Sequence, residues 1–338
     1  MNDLEKSNVL VSICCTAYNH EKYIDDALRG FVEQKTNFEF EVLIHDDAST
    51  DKTTELIKKY ELEYPNIIKP IYQKENQYSK GIPINRTYNY SRAKGKYIAL
   101  CEGDDYWIDP LKLQKQIDYM EANPNCTFCF TNGKILDVQD SKKNRVFIPF
   151  SKENEQYFYN KNKSYDVGSL GLLGFIPTAS FVFRKLILDN PPKVYLKKYP
   201  AGDMKLKLYA TAKGYAYFIN DVTTVYRTNV RGSAMTRWKS YNSEQLIEHN
   251  QGYIDLINDI NEYANFQYSE ELDKLKAGFE ASNFLIKKQK NFLKQKKYRE
   301  WFKKQPYLIQ IKIITSLFFP NFYNVLKRTM KLNHSNLK

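Results

Sequence analysis

Residues 93–117 read AKGKYIALCEGDDYWIDPLKLQKQI and combine an apolar run, an acidic turn and a helical pattern. The run at 96–101 has the length and composition of a buried strand, so it predicts a strand that ends at the acidic turn 102–105. Proline suits the first turn of a helix, and Pro110 therefore predicts a helix over 110–121. Ligands of open α/β sheets bind at the carboxyl ends of strands, so the turn is the first candidate site.

Strand-like and helix-like segments alternate on both sides of this stretch. Strands are predicted at 9–16, 40–45, 67–72, 126–150 (with a polar loop), 178–183 (at the end of an apolar, glycine-rich segment from 168) and 215–226. Helices are predicted at 23–34, after Ser49 or Thr50, at 86–93 and at 202–214. The alternation predicts an α/β fold with a mainly parallel central sheet. The polar, Tyr-rich segment 151–166 receives no assignment.

From about residue 240 the pattern changes to long helical stretches that are low in glycine. We therefore predict an α/β domain over residues 1–235 and a basic helical region over 236–338, which suits a chain of 338 residues. The five cysteines lie in or beside apolar runs, which predicts free buried thiols. A zinc site is not expected, because the Cys126/Cys129 pair has no second pair and no nearby His.

The net charge of +12 comes mostly from the end of the chain. From residue 285 onward about fourteen Lys and Arg face a single acid, Glu300, and aromatic and aliphatic residues lie between them. This pattern fits attachment to an anionic membrane surface, and the alternative is a helical cap that packs on the α/β domain. Nucleic acid is not an expected partner, because no recognised binding module accompanies the charge.

No segment approaches the roughly 20 uninterrupted apolar residues of a membrane helix. The beginning, MNDLEKSNVLVSICC, has acidic residues where a signal peptide has basic ones. A cytoplasmic location follows as the expectation, with peripheral attachment to the inner face of the cell membrane as its extension.

The acidic turn carries three carboxylates within four residues, Glu102, Asp104 and Asp105. They repel one another unless a cation offsets them, and Gly103 lets the backbone come close to a ligand. Hard oxygen ligands suit Mg²⁺ or Mn²⁺, which characteristically bridges to substrate phosphates. The alternative is a solvated acidic turn without a ligand.

Two further polar clusters follow predicted strands. Thr16, Tyr18 and Asn19 end the first strand, where they can bind a nucleobase by stacking and hydrogen bonding, or form an ordinary turn. Asp46 and Asp47 end the second strand, where they can hold a ribose hydroxyl or the imino proton of a uracil ring. They can equally act as helix caps.

Together these segments resemble the successive signature blocks of family 2 glycosyltransferases, which have the GT-A fold. The blocks are VSICCTAYNHEKYIDDALRGFVEQ, EVLIHDDASTDKTTELIKKY and AKGKYIALCEGDDYWIDPLKLQKQI, continued by PTASFVFRK and AGDMKLKLYATAKGYAYFINDVTTVYRT. The resemblance implies a Rossmann-like domain that binds a nucleotide sugar, and an inverting transferase that depends on Mn²⁺ or Mg²⁺. It further implies a UDP-sugar donor and a saccharide or lipid-linked saccharide acceptor in cell-surface polysaccharide synthesis.

The resemblance also assigns residues to the donor site. Thr16 and Tyr18 match positions that contact the nucleotide, and Asp47 matches the carboxylate that reads the uracil ring. Arg86 matches a basic residue near the base or the diphosphate.

Glu102-Gly103-Asp104 occupies the position of the family's DxD motif, and Asp105 completes its D-x-D-D form. The resemblance implies metal ligands among Glu102, Asp104 and Asp105, with Asp104 also at the nucleotide. The family's first Asp is Glu here, so the role of Glu102 stays open.

Asp203 matches the family's catalytic base. An inverting transfer requires one carboxylate that takes the proton of the attacking hydroxyl, while the metal stabilises the leaving diphosphate. Without the resemblance, Asp203 would be interpreted as a helix N-cap. The family's His after the Tyr-Arg pair is absent, since Tyr226-Arg227 leads to Thr228 and Asn229. Either Arg227 or Arg231 then binds the diphosphate or forms a salt bridge in the loop.

Two competing functions remain at this point. A sugar-phosphate nucleotidyltransferase would also use an α/β nucleotide site and Mg²⁺, but it requires a basic, glycine-rich loop near the N-terminus that this sequence lacks. A non-catalytic sugar- or lipid-binding protein on a degenerate transferase fold would bind the same ligands. Release of UDP from a donor separates the enzyme from the binding protein.

Overall fold

The computed structural model describes residues 8–148 and 162–319. The strands of this part are β1 (Val9–Ala17), β2 (Glu39–Asp46), β3 (Ile68–Tyr72), β4 (Tyr97–Leu100), β5 (Tyr106–Trp107), β6 (Cys126–Asp137), β7 (Arg145–Val146), β8 (Lys163–Tyr165), β9 (Val182–Arg184) and β10 (Tyr215–Thr228). The helices are α1 (Ile24–Val32), α2 (Thr53–Glu63), α3 (Lys112–Ala122), α4 (Val167–Leu172), α5 (Lys193–Leu196), α6 (Gly202–Thr211), α7 (Ala234–Trp238), α8 (Ser243–Tyr263), α9 (Ser269–Ile286), α10 (Lys296–Lys303) and α11 (Tyr307–Phe318). Of the unassigned segment 151–166, residues 151–161 lie outside the described part and the remainder supplies β8.

The strands join in one sheet in the order β3-β2-β1-β4-β9-β6-β10-β5, with β7 on β6 and β8 on β10. The pairs β1/β2, β1/β4, β2/β3 and β6/β10 are parallel, and they include the longest strands. The short strand β9 runs antiparallel to both β4 and β6, so it joins the two parallel parts. The predicted α/β fold is therefore confirmed, while the short strands make the sheet mixed.

Strand β1 lies between β2 and β4 and is buried because both of its faces are covered. Its side chains Val11, Ile13 and Cys15 are fully buried, and the apolar face of α1 packs in the same core. Gly30 lets α1 approach β5 closely, since a Cβ there would lie 2.7 Å from the carbonyl oxygen of Trp107. The polar ends of these parallel strands thus extend from a buried, closely packed layer.

The predicted helix at 86–93 differs in the structure. Residues Asn85–Asn89 form a single turn of π-helix, followed by a 3-10 turn at Tyr90–Arg92. The amide of buried Asn89 donates a hydrogen bond of 3.1 Å to the carbonyl of Cys15 in β1. This tertiary contact ties the turn to the sheet and competes with regular helical geometry. The spacing of apolar residues along the sequence does not reveal such a contact.

A buried lysine lies at the start of α3. Lys112 is 0% exposed, donates a 2.7 Å hydrogen bond to the side-chain oxygen of Gln116 and lies 4.2 Å from the Trp107 ring centroid. Gln116 in turn donates to the carbonyl of Ser180 at 3.0 Å. Burial lowers the pKa of Lys112 to about 7.

Replacing Lys112 by Met is expected to change how stability depends on pH. The folded-state pKa lies below the unfolded value of about 10.4, so the unfolded chain binds more protons between about pH 7 and pH 10. The wild-type free energy of unfolding should therefore gain about 1.4 kcal/mol per pH unit from this group as pH rises, and Lys112→Met should lack that gain. Urea unfolding at several pH values measures it.

Lys59→Met, at an exposed position of α2, is the matched control and should follow the wild-type curve. Parallel curves for Lys112→Met and the wild type would contradict an altered pKa of Lys112.

Backbone contacts divide the chain into two compact units. The first comprises Met1–Leu196 and Asp203–Arg237, and the second Lys197–Gly202 and Trp238–Lys338. The short segment of the second unit is held on α8, because Lys197 and Tyr199 both bond to the carboxylate of Asp259. We keep 1–235 and 236–338 as the proposed functional domains.

The second unit contains a core of its own, formed by α9, α10, α11 and the turn before α10. Its buried members are Ala277, Ala281, Phe292, Tyr298, Ile313 and Leu317. Among the described residues, no helix combines the length and the apolar character that crossing a bilayer requires. All five cysteines are buried free thiols, as predicted.

Candidate functional site

The three polar clusters come together because the strands that carry them are neighbours. The amide of Asp47 donates to the carbonyl of Ala17 at 2.9 Å, which joins the ends of β2 and β1. The amide of Gly103 donates to the carbonyl of Thr16, also at 2.9 Å, which joins the acidic turn to the end of β1. One edge of the sheet therefore presents all three clusters.

The loops after β1 and β2 are bound to each other. The amide of Asn19 donates to the hydroxyl of Ser49 at 3.0 Å, and the Asn19 side-chain oxygen accepts from the amide of Thr50 at 2.8 Å. The left-handed backbone of Asn19 (φ 56°) and Ala48 (φ 63°) makes this crossing possible. The side-chain oxygen of Asn19 is thus bonded within the protein, whereas Tyr18 is 44% exposed and no ring among the described residues stacks on it.

Asp47 is buried, and its carboxylate holds the loop that follows β3. One oxygen accepts from the amide of Gln77 at 2.7 Å, and the other accepts from the amide of Tyr78 at 2.9 Å. Asp46 likewise accepts from the amide of Ser49 at 3.1 Å. Both acids therefore organise the chain, and each oxygen of Asp47 keeps a second lone pair that can accept from a ligand.

Arg86 lies in the π-helical turn with an exposed side chain. The pKa of Lys205 in α6 is lowered first by burial and then by the charge of Arg86. Arg86 therefore lies close to the helix that carries Asp203.

The acidic turn concentrates negative charge in a partly desolvated place. Burial, followed by the charge of Asp104, raises the pKa of Glu102 to about 8. Burial and the same neighbour raise the pKa of Asp105, whose side chain is only 1% exposed. Asp104 is half-buried, and no hydrogen-bond donor from the described residues reaches its carboxylate. This carboxylate therefore remains available to a cation.

Arg227 fixes the acidic turn from the far end of the sheet. Its amide donates to the Asp105 carboxylate at 2.7 Å, and its guanidinium donates to the carbonyl of Asp104 at 2.9 Å. The guanidinium also forms an ion pair with Asp26 of α1 and lies 4.3 Å from the ring centroid of Tyr106. Arg227 thus forms one of the salt bridges considered from the sequence, while Arg231 is exposed.

Asp203 lies in the first turn of α6 and is half-buried. Its charge adds to burial and to Asp104 in raising the pKa of Glu102. It also adds, after burial and the three acids of the turn, to the raised pKa of Tyr226. Asp203 therefore lies close enough to the acidic turn for their charges to affect the same groups, although about a hundred residues separate them in the sequence.

Sequence reasoning assigned no role to two groups that the structure places here. Tyr226 is half-buried and experiences the charges of four acids, and its only sequence signal is its position before Arg227. The Nδ1 atom of His20 is buried without a hydrogen-bond partner among the described residues. A Cβ at Gly103 would lie 2.9 Å from that atom, so the turn needs glycine to pass His20.

The donor set fits a divalent cation that shares its coordination with a substrate. Within the described ranges, no group of three His, Cys, Asp or Glu residues is arranged to hold a metal alone. Mg²⁺ and similar ions bind through one or two carboxylates together with substrate phosphates, so Asp104 with one neighbouring carboxylate is sufficient.

Residues 12–189, more than half of the chain, match the family model of Glycosyl transferase family 2. The chain belongs to this family. The predicted family is therefore confirmed, and Arg227 and Asp203 lie beyond the matched residues of this family 2 glycosyltransferase.

Several curated relatives are similar to part of this family 2 chain. The uncharacterised protein Rv1520 of Mycobacterium tuberculosis is 41% identical over 175 residues, 52% of this chain and 47% of that protein. The putative teichuronic acid biosynthesis glycosyltransferase TuaG of Bacillus subtilis is 34% identical over 139 residues, 41% of this chain and 52% of its own. WfaP of Escherichia coli, a UDP-Glc:alpha-D-GlcNAc-diphosphoundecaprenol beta-1,3-glucosyltransferase, is 38% identical over 113 residues, 33% of this chain and 42% of its own. The matches span about half the length of these relatives.

The fold is similar to that of S. aureus TarS 1-349, solved in complex with UDP-GlcNAc. The TM-score is 0.60 at 20% identity, and the superposition covers 91% of this chain and 84% of the TarS chain. The expected GT-A fold with a helical C-terminal region is thereby confirmed.

Proposed function

We propose that this family 2 glycosyltransferase transfers a sugar, with inversion, from a nucleotide diphosphate donor to a saccharide or lipid-linked saccharide. The observation that carries the proposal is that the acidic turn meets the ends of β1 and β2 at one edge of the sheet, with Asp203 near enough for its charge to add to the raised pKa of Glu102. It supports a site in which one carboxylate takes the proton of the acceptor and a group of acids binds the metal at the diphosphate of the donor. UDP is the proposed nucleotide.

The proposed nucleotide pocket lies at the ends of β1 and β2. The exposed ring of Tyr18 supplies a stacking face, and Thr16 lies beside it. Asp47 contributes by fixing the loop of Gln77 and Tyr78, and its remaining lone pairs can accept from the uracil ring. Arg86 is the proposed basic residue near the base or the diphosphate, and its proximity to α6 supports this role.

The acidic turn is proposed to hold Mn²⁺ or Mg²⁺ through Asp104. The cation, when bound, offsets the charge that develops on the departing diphosphate. Glu102 is the proposed second acid near the cation. The prediction that Asp105 is also a ligand stays a prediction, and its buried bond to the Arg227 amide favours a positioning role.

Asp203 is the proposed base. The acceptor hydroxyl attacks the anomeric carbon, its proton passes to the Asp203 carboxylate, and the bond to the diphosphate oxygen breaks. The carbon is inverted because attack and departure occur on opposite faces. No protein acid is required at the leaving group, which agrees with the separation of the two acidic segments along the chain.

Cell-surface polysaccharide synthesis is the proposed setting. The similarity to TuaG and WfaP, whose names mention teichuronic acid and a diphosphoundecaprenol-linked sugar, supports it for this chain.

A donor panel tests the proposed function. UDP-, GDP- and dTDP-sugars are incubated with the protein and Mn²⁺, with water or short saccharides as acceptors, and release of the nucleotide diphosphate is measured. We expect release from at least one UDP-sugar and its loss with a chelator. Binding of UDP without release from any donor would favour the non-catalytic binding protein.

A further inference from the structure

Helix α11 leaves one apolar face uncovered. Tyr307, Ile311, Ile314 and Phe318 recur every three or four residues, so they line one side of the helix. These four residues, here called the α11 stripe, have side chains that are 38% to 75% exposed. On another side, Ile313 and Leu317 are buried in the core of the second unit. Within residues 8–148 and 162–319, this helix is apolar on two sides but packed on only one, so the α11 stripe has no partner there.

The chain around the stripe is strongly basic. Ten Lys and Arg residues lie between 287 and 312 against one acid, Glu300, and all ten are exposed. In the part that the structure describes, only Lys296 and Lys297 of these ten form salt bridges. The amino group of Lys290 lies 5.2 Å from the ring centroid of Phe318, so at least one cation directly borders the stripe.

We propose that the α11 stripe and its basic surroundings form a docking surface for an anionic lipid bilayer. The stripe is short for a bilayer span, since twelve residues of helix extend only about 18 Å. Apolar side chains at the level of the acyl chains and cations among anionic headgroups are what an interfacial helix requires.

Charge favours an anionic bilayer over the two other possible partners of the α11 stripe, which are a second copy of this chain and residues 320–338. A second copy on the same stripe would bring its own ten exposed cations against these ten. Residues 320–338, which lie outside the described part, contain four more Lys or Arg and no Asp or Glu, so that segment would add positive charge as well. An anionic bilayer is the partner that complements both the apolar stripe and the charge.

Flotation of the full chain with vesicles tests the surface. The expected result is binding to phosphatidylcholine vesicles that contain phosphatidylglycerol, weaker by about tenfold or more without the anionic lipid and reduced by high salt. Ile311→Gln with Ile314→Gln should lower binding to the anionic vesicles by a similar factor. Neither residue is buried in the core, so the circular dichroism spectrum should remain that of the wild type.

Leu62→Gln is the matched control, since Leu62 is an exposed apolar residue of α2 in the first unit, and it should bind as the wild type does. Equal flotation of the wild type with and without anionic lipid would overturn the proposal. So would a dimer in light scattering that the double variant abolishes, because a second copy would then cover the stripe. The test requires no transferase activity and is therefore independent of the proposed function.

Discussion

Asp203→Asn is expected to slow sugar transfer by on the order of 10²–10⁴-fold while donor binding stays close to that of the wild type. Asn has the same size and can still accept a hydrogen bond from the acceptor hydroxyl, but it cannot take the proton. The interaction that it removes exists mainly in the transition state, so kcat should fall and the KM of the donor should change little. Initial rates of UDP release over a range of donor concentrations measure both.

Asp189→Asn is the control for this variant, because Asp189 is an exposed acid of the first unit outside the site. It should retain wild-type rates. Near-normal transfer by Asp203→Asn, with donor binding intact, would remove Asp203 from the role of base.

Asp104→Asn is expected to lower kcat by about 10²–10³-fold and to abolish the part of UDP affinity that depends on Mn²⁺. The Asp104 carboxylate has no donor from the described residues, while burial and Asp104 itself raise the pKa of both Glu102 and Asp105. Loss of its charge removes the best candidate ligand. Calorimetric titration of UDP with and without Mn²⁺ separates the metal-dependent part of binding from the remainder.

Asp118→Asn, at an exposed position of α3, should bind UDP and Mn²⁺ as the wild type does. An unchanged dependence on Mn²⁺ in Asp104→Asn would contradict the assignment of the cation to this carboxylate. Unchanged UDP binding without metal is the sign that the fold of the pocket is intact.

Local pattern predicted much of the first unit. The strands at 9–16, 40–45 and 96–101 appear as β1, β2 and β4, because runs of β-branched and apolar residues that are buried on both faces have few alternatives. A strand was predicted at 178–183, and β9 overlaps its end, but the antiparallel insertion of β9 between β4 and β6 was not predictable in the same way. Its position depends on Arg184, whose buried guanidinium donates to the carbonyls of Cys126 and Asn123 and to the hydroxyl of Tyr97. Those acceptors are distant in sequence.

For the site, sequence indicated the residue types at the strand ends, and the structure revealed how the protein uses them. Asp47 was predicted to contact a ligand, yet both of its oxygens bond to the amides of Gln77 and Tyr78. The side-chain oxygen of Asn19 is bound in a similar way, since it accepts from the amide of Thr50. Hydrogen bonds from backbone amides cannot be predicted from residue type. The sequence therefore does not show which side-chain atoms remain available to a ligand.

The bonds of Arg227 also bear on how this protein should be divided for expression. The family match ends at residue 189, but the group that ties the acidic turn to α1 is at residue 227, in the last strand of the sheet. A fragment trimmed to the match would contain every recognisable motif of the turn and none of the strand that anchors it. Fragments intended for crystallisation or for swapping between relatives should therefore extend through β10 at least to Thr228.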